Sequence, residues 1–199
     1  MGDSGNMKFV IDEVGDPFHS STTPNRLWGD NLSRYMTETL GKPTQLALKQ
    51  FRSEDEQHLR SLGAFQLPDK PNSDHLIRTF FEYSYTAFPV FDPGEFTSLY
   101  ETGHLSPLIL NAVFHVAAAH CSHTVLDAIG FTSRYLARLT FYRRAKALYD
   151  ADHDSDGIST VQAAILLSNW WGGPMEQKDT WYWLGAAAGL AQALGMHCA

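Results

Sequence analysis

The sequence predicts an all-α fold: a multi-helix array of antiparallel helix pairs, forming the N-terminal part of a larger helical domain. Three observations predict it. Alternating runs of the kind that make strands are absent, whereas a helix start signal opens nearly every segment from Ser73 onward. The stretch from Leu108 to Ala119 is apolar on almost every face, and a helix without a wet side is a central one. Connections between the periodic segments are short, as antiparallel neighbours require.

Composition narrows the classes. Apolar residues make up 44% of the 199 positions, aromatics 13% and charged residues only 19%, which suits one domain with a sizeable core. A net charge of −7 argues against gripping a phosphate backbone, which needs clustered Lys and Arg. Cys121 and Cys198 are too few for a disulfide framework or a cysteine-based zinc module, so a reducing intracellular compartment is expected. The first residues lack a basic patch followed by an apolar run, so no secretory signal is expected. The most apolar windows, near 105–121 and 181–196, fall short of a membrane span.

In order, residues 1–52 read as a mostly disordered arm. Leu32, Tyr35, Met36 and Leu40 within it fall at helical spacing, either docking on the domain or acting as a separate recognition segment. Ser53-Glu54-Asp55-Glu56 matches a capping box, predicting a short helix through Leu59 and Leu62 that stops at Gly63. Pro68, Pro71 and Asn72 are expected to break the chain before Ser73 caps a helix through Leu76, Ile77 and Phe80. Phe88 to Phe91 reads as an extended aromatic connector. Asp92-Pro93-Gly94-Glu95 then supplies an N-cap and a proline at the first helical position, with Phe91 and Phe96 as the hydrophobic staple.

Ser106-Pro107 repeats the device ahead of the central helix. Residues 132–150 follow as a helix with Tyr135, Leu136, Leu139, Tyr142 and Tyr149 inward and Arg134, Arg138, Arg143, Arg144 and Lys146 outward. Ser159 and Gln162 are expected to cap the next helix. The last helix closes at Gly195, with Met196 placed for a Schellman contact.

Candidate chemistry is sparse. Asp152, Asp154, Asp156 and Gly157 open like a calcium loop, but its twelfth position is Ala163 rather than a bidentate Glu, and an acidic solvated loop is the reading adopted. His115, His120 and His123 resemble metal ligands without a spacing that fixes three of them; they are the support for an alternative, a helical metal-dependent enzyme. Catalytic motifs with local spacing are absent, so no catalytic, cofactor or metal residue is assigned and no enzyme activity is expected. Gly185 and Gly189, around three alanines, suggest close packing of the last helix on the one before it.

The densest information lies in Trp170-Trp171-Gly172-Gly173-Pro174 and Trp181-Tyr182-Trp183. Four of the five tryptophans fall there, either as core packing between two helices or as an aromatic pocket. With Leu190-Ala191-Gln192-Ala193-Leu194-Gly195-Met196-His197, this hairpin resembles the regulatory domain of fungal zinc-cluster transcription factors. That is the middle homology region, also called the xylanolytic activator regulatory domain, here nearest the cutinase and fatty-acid regulator subgroup. Gly63-Ala64-Phe65, Phe80-Phe81-Glu82-Tyr83, Phe88 to Asp92, Ser106 to Val113 and Phe141 to Tyr149 fit the same family in register, so the resemblance covers about residues 53–197.

The resemblance implies a nuclear regulator of transcription by RNA polymerase II. DNA would be read through an N-terminal two-zinc, six-cysteine module, and a small-molecule effector or regulatory protein would act on the helical region. A homodimer of the full-length protein also fits it, and membrane attachment does not. Because the zinc module is missing and the chain stops at Ala199, the expectation is a partial regulatory domain over 53–199. The alternative is a truncated, inactive or dominant-negative fragment. On either reading a helical array cut at its last matched helix exposes apolar surface, so the isolated chain is expected to aggregate or to behave as a molten state.

Overall fold

The computed structural model describes residues 45–173, 177–196 and 198, with side chains from Arg52 onward. The arm helix expected around Leu32 to Leu40 lies outside the described residues. Residues 1–50 and residues 51–199 cluster as two units. The described secondary structure is helical: α1 (Gln45–Ser61), α2 (Lys70–Thr79), α3 (Pro93–Glu101), α4 (Pro107–Ala117), α5 (His123–Ala128), α6 (Arg134–Asp150), α7 (Gly157–Leu167) and α8 (Thr180–Ala193). The all-α expectation holds among the described residues.

Local signals set many of the boundaries. Asp92 accepts a hydrogen bond from the Glu95 amide at 2.8 Å, Pro93 begins α3, and the Phe91 and Phe96 rings sit 5.0 Å apart as a staple. Ser106 accepts from the amides of Leu108 and Ile109 and in turn donates to the Asp154 carboxylate, tying the start of α4 to the loop before α7. At the end of α8, Gly195 (φ 74) lets the Met196 amide reach the Ala191 carbonyl at 2.9 Å and its own amide reach Gln192, the two bonds of a Schellman motif.

Three expected starts are corrected. Ser53 caps nothing, because α1 begins at Gln45 and carries through it; Glu56 is used instead in a 2.6 Å ion pair with Arg60. Helix α2 begins at Lys70 rather than Ser73. Pro71 falls in the first turn, where a missing amide hydrogen costs no intrahelical bond, and Ser73 is buried with its hydroxyl on the Pro68 carbonyl. Asp156, not Ser159, caps α7, accepting from the amides of Ile158 and Ser159.

After α2 the backbone widens into a π-turn at Phe80–Ser84, where the Tyr85 amide bonds the Phe80 carbonyl. The rings of Phe80, Phe81, Phe91 and Phe96 meet edge to face there.

Helix α4 is the centre of the unit: every residue from Leu108 to Ala118 is buried. It packs chiefly on α6 and α7, and α8 packs on α7. Its one buried amide side chain, Asn111, donates to the carbonyls of Ala64 and Pro107. Helix α6 turns Ala137, Phe141, Tyr142, Ala145 and Leu148 inward, whereas Tyr135 and Leu136, expected inside, stand 57% and 45% exposed.

The basic residues of α6 act as clamps more than as a solvated face. Arg134 donates to the Cys121 carbonyl, Arg138 to both oxygens of Asn169, and Arg144 to the Gln66 carbonyl. Each of these carbonyls lies outside the helices and gains from the arginine a donor that no helix supplies.

Candidate functional site

The tryptophan segments separate into two populations. Trp170, just after α7, is 2% exposed and Trp183 in α8 is fully buried, whereas Trp171 is 69% and Trp181 81% exposed. Helical geometry explains the second pair. Trp183, Ala187, Leu190 and Ala191 recur on one face of α8, and Trp181 precedes Trp183 by about 200° of rotation, which sends it to the other face. Gly172 and Gly173 form the exposed and half-buried start of the connecting turn, and Tyr182 is 41% exposed beside the Trp183 ring.

The inner pair forms a clasp around Tyr142. Trp170 stacks on Tyr142, with ring centres 5.2 Å apart. The Trp183 indole N–H donates to the Tyr142 hydroxyl at 3.1 Å, and that hydroxyl donates to the Lys178 carbonyl at 3.2 Å. One phenol therefore joins α6, α8 and the turn between α7 and α8. Thr180 adds a bond from the start of α8 to the Ser168 carbonyl, and Asp179 caps α8 through the Tyr182 amide.

His115 completes the cluster from α4. Its ring lies 5.6 Å from Tyr142 and 5.7 Å from Trp170, and its Nδ1 is 3.0 Å from the Arg138 carbonyl. A carbonyl only accepts, so the neutral ring carries its hydrogen on Nδ1 and leaves Nε2 without a hydrogen-bond partner. Burial pushes the pKa down to about 3, and the nearby Arg138 charge adds to this while the backbone hydrogen bond opposes it. His115 is thus a neutral packing residue at ordinary pH.

His120 instead lies at the surface, its ring stacked 5.8 Å from that of Tyr83, and His123 begins α5. Among the described residues no three His, Cys, Asp or Glu side chains are grouped to hold a metal ion. The acidic loop is likewise occupied by folding tasks: Asp154 bonds Ser106 and Asp156 caps α7.

Lys178 edges the clasp. Its ammonium lies 5.0 Å from the Tyr182 ring centre and 5.5 Å from that of Trp183, and it pairs with Asp150, which also holds Lys146 at 2.8 Å. Burial disfavours the charge on Asp150, yet the bonds from Lys146 and Lys178 outweigh it and hold the carboxyl below its usual range. No sequence signal identified the roles of His115, Arg138, Tyr142 or Lys178, because their partners come from distant segments.

On the outer face of α8, Trp181, Leu184, Gly185 and Gly189 are exposed, and Gly185 and Gly189 have open space where side chains would stand. The expected glycine packing against α7 is therefore corrected: α8 meets α7 through its opposite face. No charged residue occurs from Thr180 to Met196, so this outer face is uncharged, with Trp181 and Leu184 as its large apolar groups and Gln192 on the same side. No helix among the described residues is long and apolar enough to cross a membrane.

Comparison with known proteins agrees with the sequence resemblance. The family model described as the fungal specific transcription factor domain matches residues 77–198. Cutinase transcription factor 1 beta of Fusarium vanettenii is 34% identical over 160 residues, covering 78% of this chain and 18% of the relative. Cutinase transcription factor 1 alpha of the same organism is 36% identical over 143 residues, covering 70% and 16%. The acetamidase regulatory protein of Emericella nidulans is 28% identical over 160 residues, covering 77% and 19%. The chain spans less than a fifth of the length of these curated relatives. No solved structure matches. The matched segment takes in the end of α2, the central helix α4, Tyr142 and both halves of the tryptophan clasp, and the chain belongs to the fungal specific transcription factor domain family.

Proposed function

We propose that this chain is the regulatory region of a fungal zinc-cluster transcription factor acting on RNA polymerase II transcription in the nucleus. The observation that carries the reading is the family match across residues 77–198, supported by relatives named as transcription factors. Reading of DNA belongs to a separate six-cysteine, two-zinc module, since this chain has two cysteines and a net charge of −7. The chain itself holds no metal or cofactor and performs no catalysis in this reading.

Mechanistically, an effector or partner protein biases the helical unit between two packings, and the bias changes transcriptional output. Homodimerisation belongs to the full-length protein. The test is a fusion of the whole chain to a heterologous DNA-binding domain in a filamentous fungus, with reporter output followed across carbon sources. Output that changes with carbon source at constant fusion level supports the reading; output equal to the DNA-binding domain alone on every source refutes it.

A further inference from the structure

Arg144 is a half-buried cation with no carboxylate partner among the described residues, whereas Arg60, Lys70, Lys146 and Lys178 each pair with one. Its Nη1 donates to the Gln66 carbonyl at 2.7 Å and its Nη2 to the Gln66 side-chain oxygen at 3.3 Å, while Nε has no partner. A guanidinium offers five N–H donors; with Nε buried and two Nη hydrogens on neutral acceptors, two Nη hydrogens are left for another acceptor. Burial alone pushes its pKa down. A desolvated charge of this kind is favoured by an incoming anion, and Arg forms paired bonds with carboxylates.

Arg144 lines a surface groove of about 430 Å³ together with the accessible apolar side chains of Leu67, Pro68, Ile129 and Phe131 and the polar Gln66 and Asp69. That size lies within the roughly 300–1,000 Å³ of small-molecule sites, which combine apolar walls with a few convergent polar groups. Asp69 lines the same groove, its carboxylate accepting a hydrogen bond from Asn72, and disfavours a second negative charge there. We propose that this groove binds a compact, apolar monocarboxylate, with Arg144 receiving the carboxylate and the side chains of Leu67, Ile129 and Phe131 receiving the apolar body.

The regulatory reading would give such a ligand the role of effector, but the binding claim rests on the groove alone and is measured without transcription. Calorimetric titration of the full chain with phenylacetate and with its neutral match phenylacetamide tests it. The acid is expected to bind at least about tenfold more tightly than the amide, the scale of one charge-assisted pair. Arg144→Gln should abolish that preference. Because Arg144 also clamps Gln66, a second variant, Leu67→Asp at a 38% exposed wall position, places a carboxylate in the groove without touching the clamp. It should weaken phenylacetate by about tenfold or more relative to phenylacetamide, which loses only the apolar contact. Equal affinity for acid and amide, no detectable binding of the acid, or unchanged preference in Leu67→Asp overturns the proposal.

Discussion

Acidification should loosen this domain through a single buried imidazole. His115 is fully buried, and its folded pKa of about 3 lies far below the roughly 6.5 of an unfolded histidine. Between those values the unfolded chain binds a proton that the folded chain refuses. Stability is therefore complete above pH 6.5 and falls with pH by up to about 1.4 kcal/mol per unit until the folded pKa is reached. Because the folded value lies well below pH 5, the loss at pH 5 is set by titration of the unfolded chain, and comes to about 2 kcal/mol relative to pH 7.

The assay is urea unfolding at pH 7 and pH 5 for the wild type and for His115→Gln, whose amide can still donate to the Arg138 carbonyl but does not titrate. The wild type should lose about 2 kcal/mol more than the variant across this interval. Depressed carboxylates such as Asp74, Asp150 and Asp156 act at lower pH, and equally in both proteins. Identical losses in the two proteins would refute the buried, neutral His115.

Three further outcomes follow from the clasp and the caps. Tyr142→Phe leaves the buried Trp183 N–H without its acceptor and should cost about 1–3 kcal/mol in urea unfolding; an unchanged midpoint would remove the phenol from its joining role. Trp183→Ala should cost about 3–5 kcal/mol and Trp181→Ala no more than about 0.5 kcal/mol, because one ring is buried and the other 81% exposed. Equal costs would contradict the division of the hairpin. The paired change Trp181→Gln and Leu184→Gln should reduce concentration-dependent association in sedimentation velocity by shrinking an exposed apolar face, and unchanged association would place the sticky surface elsewhere.

What the sequence made legible was local. Asp92 and Ser106 announce their helices because the cap, the following proline and the flanking apolar residues act within a few positions. Ser53, Ser73 and Ser159 mislead because a capping residue looks the same inside a helix when the chain upstream also turns: Asp69 and Asp156 begin their helices three or four residues earlier. The inward face of α8 could have been read from Trp183, Ala187 and Leu190, and that spacing already excludes Trp181 from the core side. The glycine pair mattered less than this periodicity.

The surroundings of His115, in contrast, come from α6 and the end of α7, and nothing within its own helix states that its Nδ1 meets the Arg138 carbonyl. The same holds for Arg144 and Gln66, brought together across 78 residues. Basic spacing on α6 suggested a solvated face, whereas tertiary packing turned three of its arginines toward backbone carbonyls.

The regulatory reading is tested most directly by a chimera. Residues 77–198 replace the matched segment of cutinase transcription factor 1 beta, and reporter transcription is measured beside the intact relative and a deletion of that segment. The chimera should restore regulated transcription that the deletion loses. A chimera that accumulates in the nucleus at the level of the intact relative, yet gives the reporter output of the deletion, would contradict it.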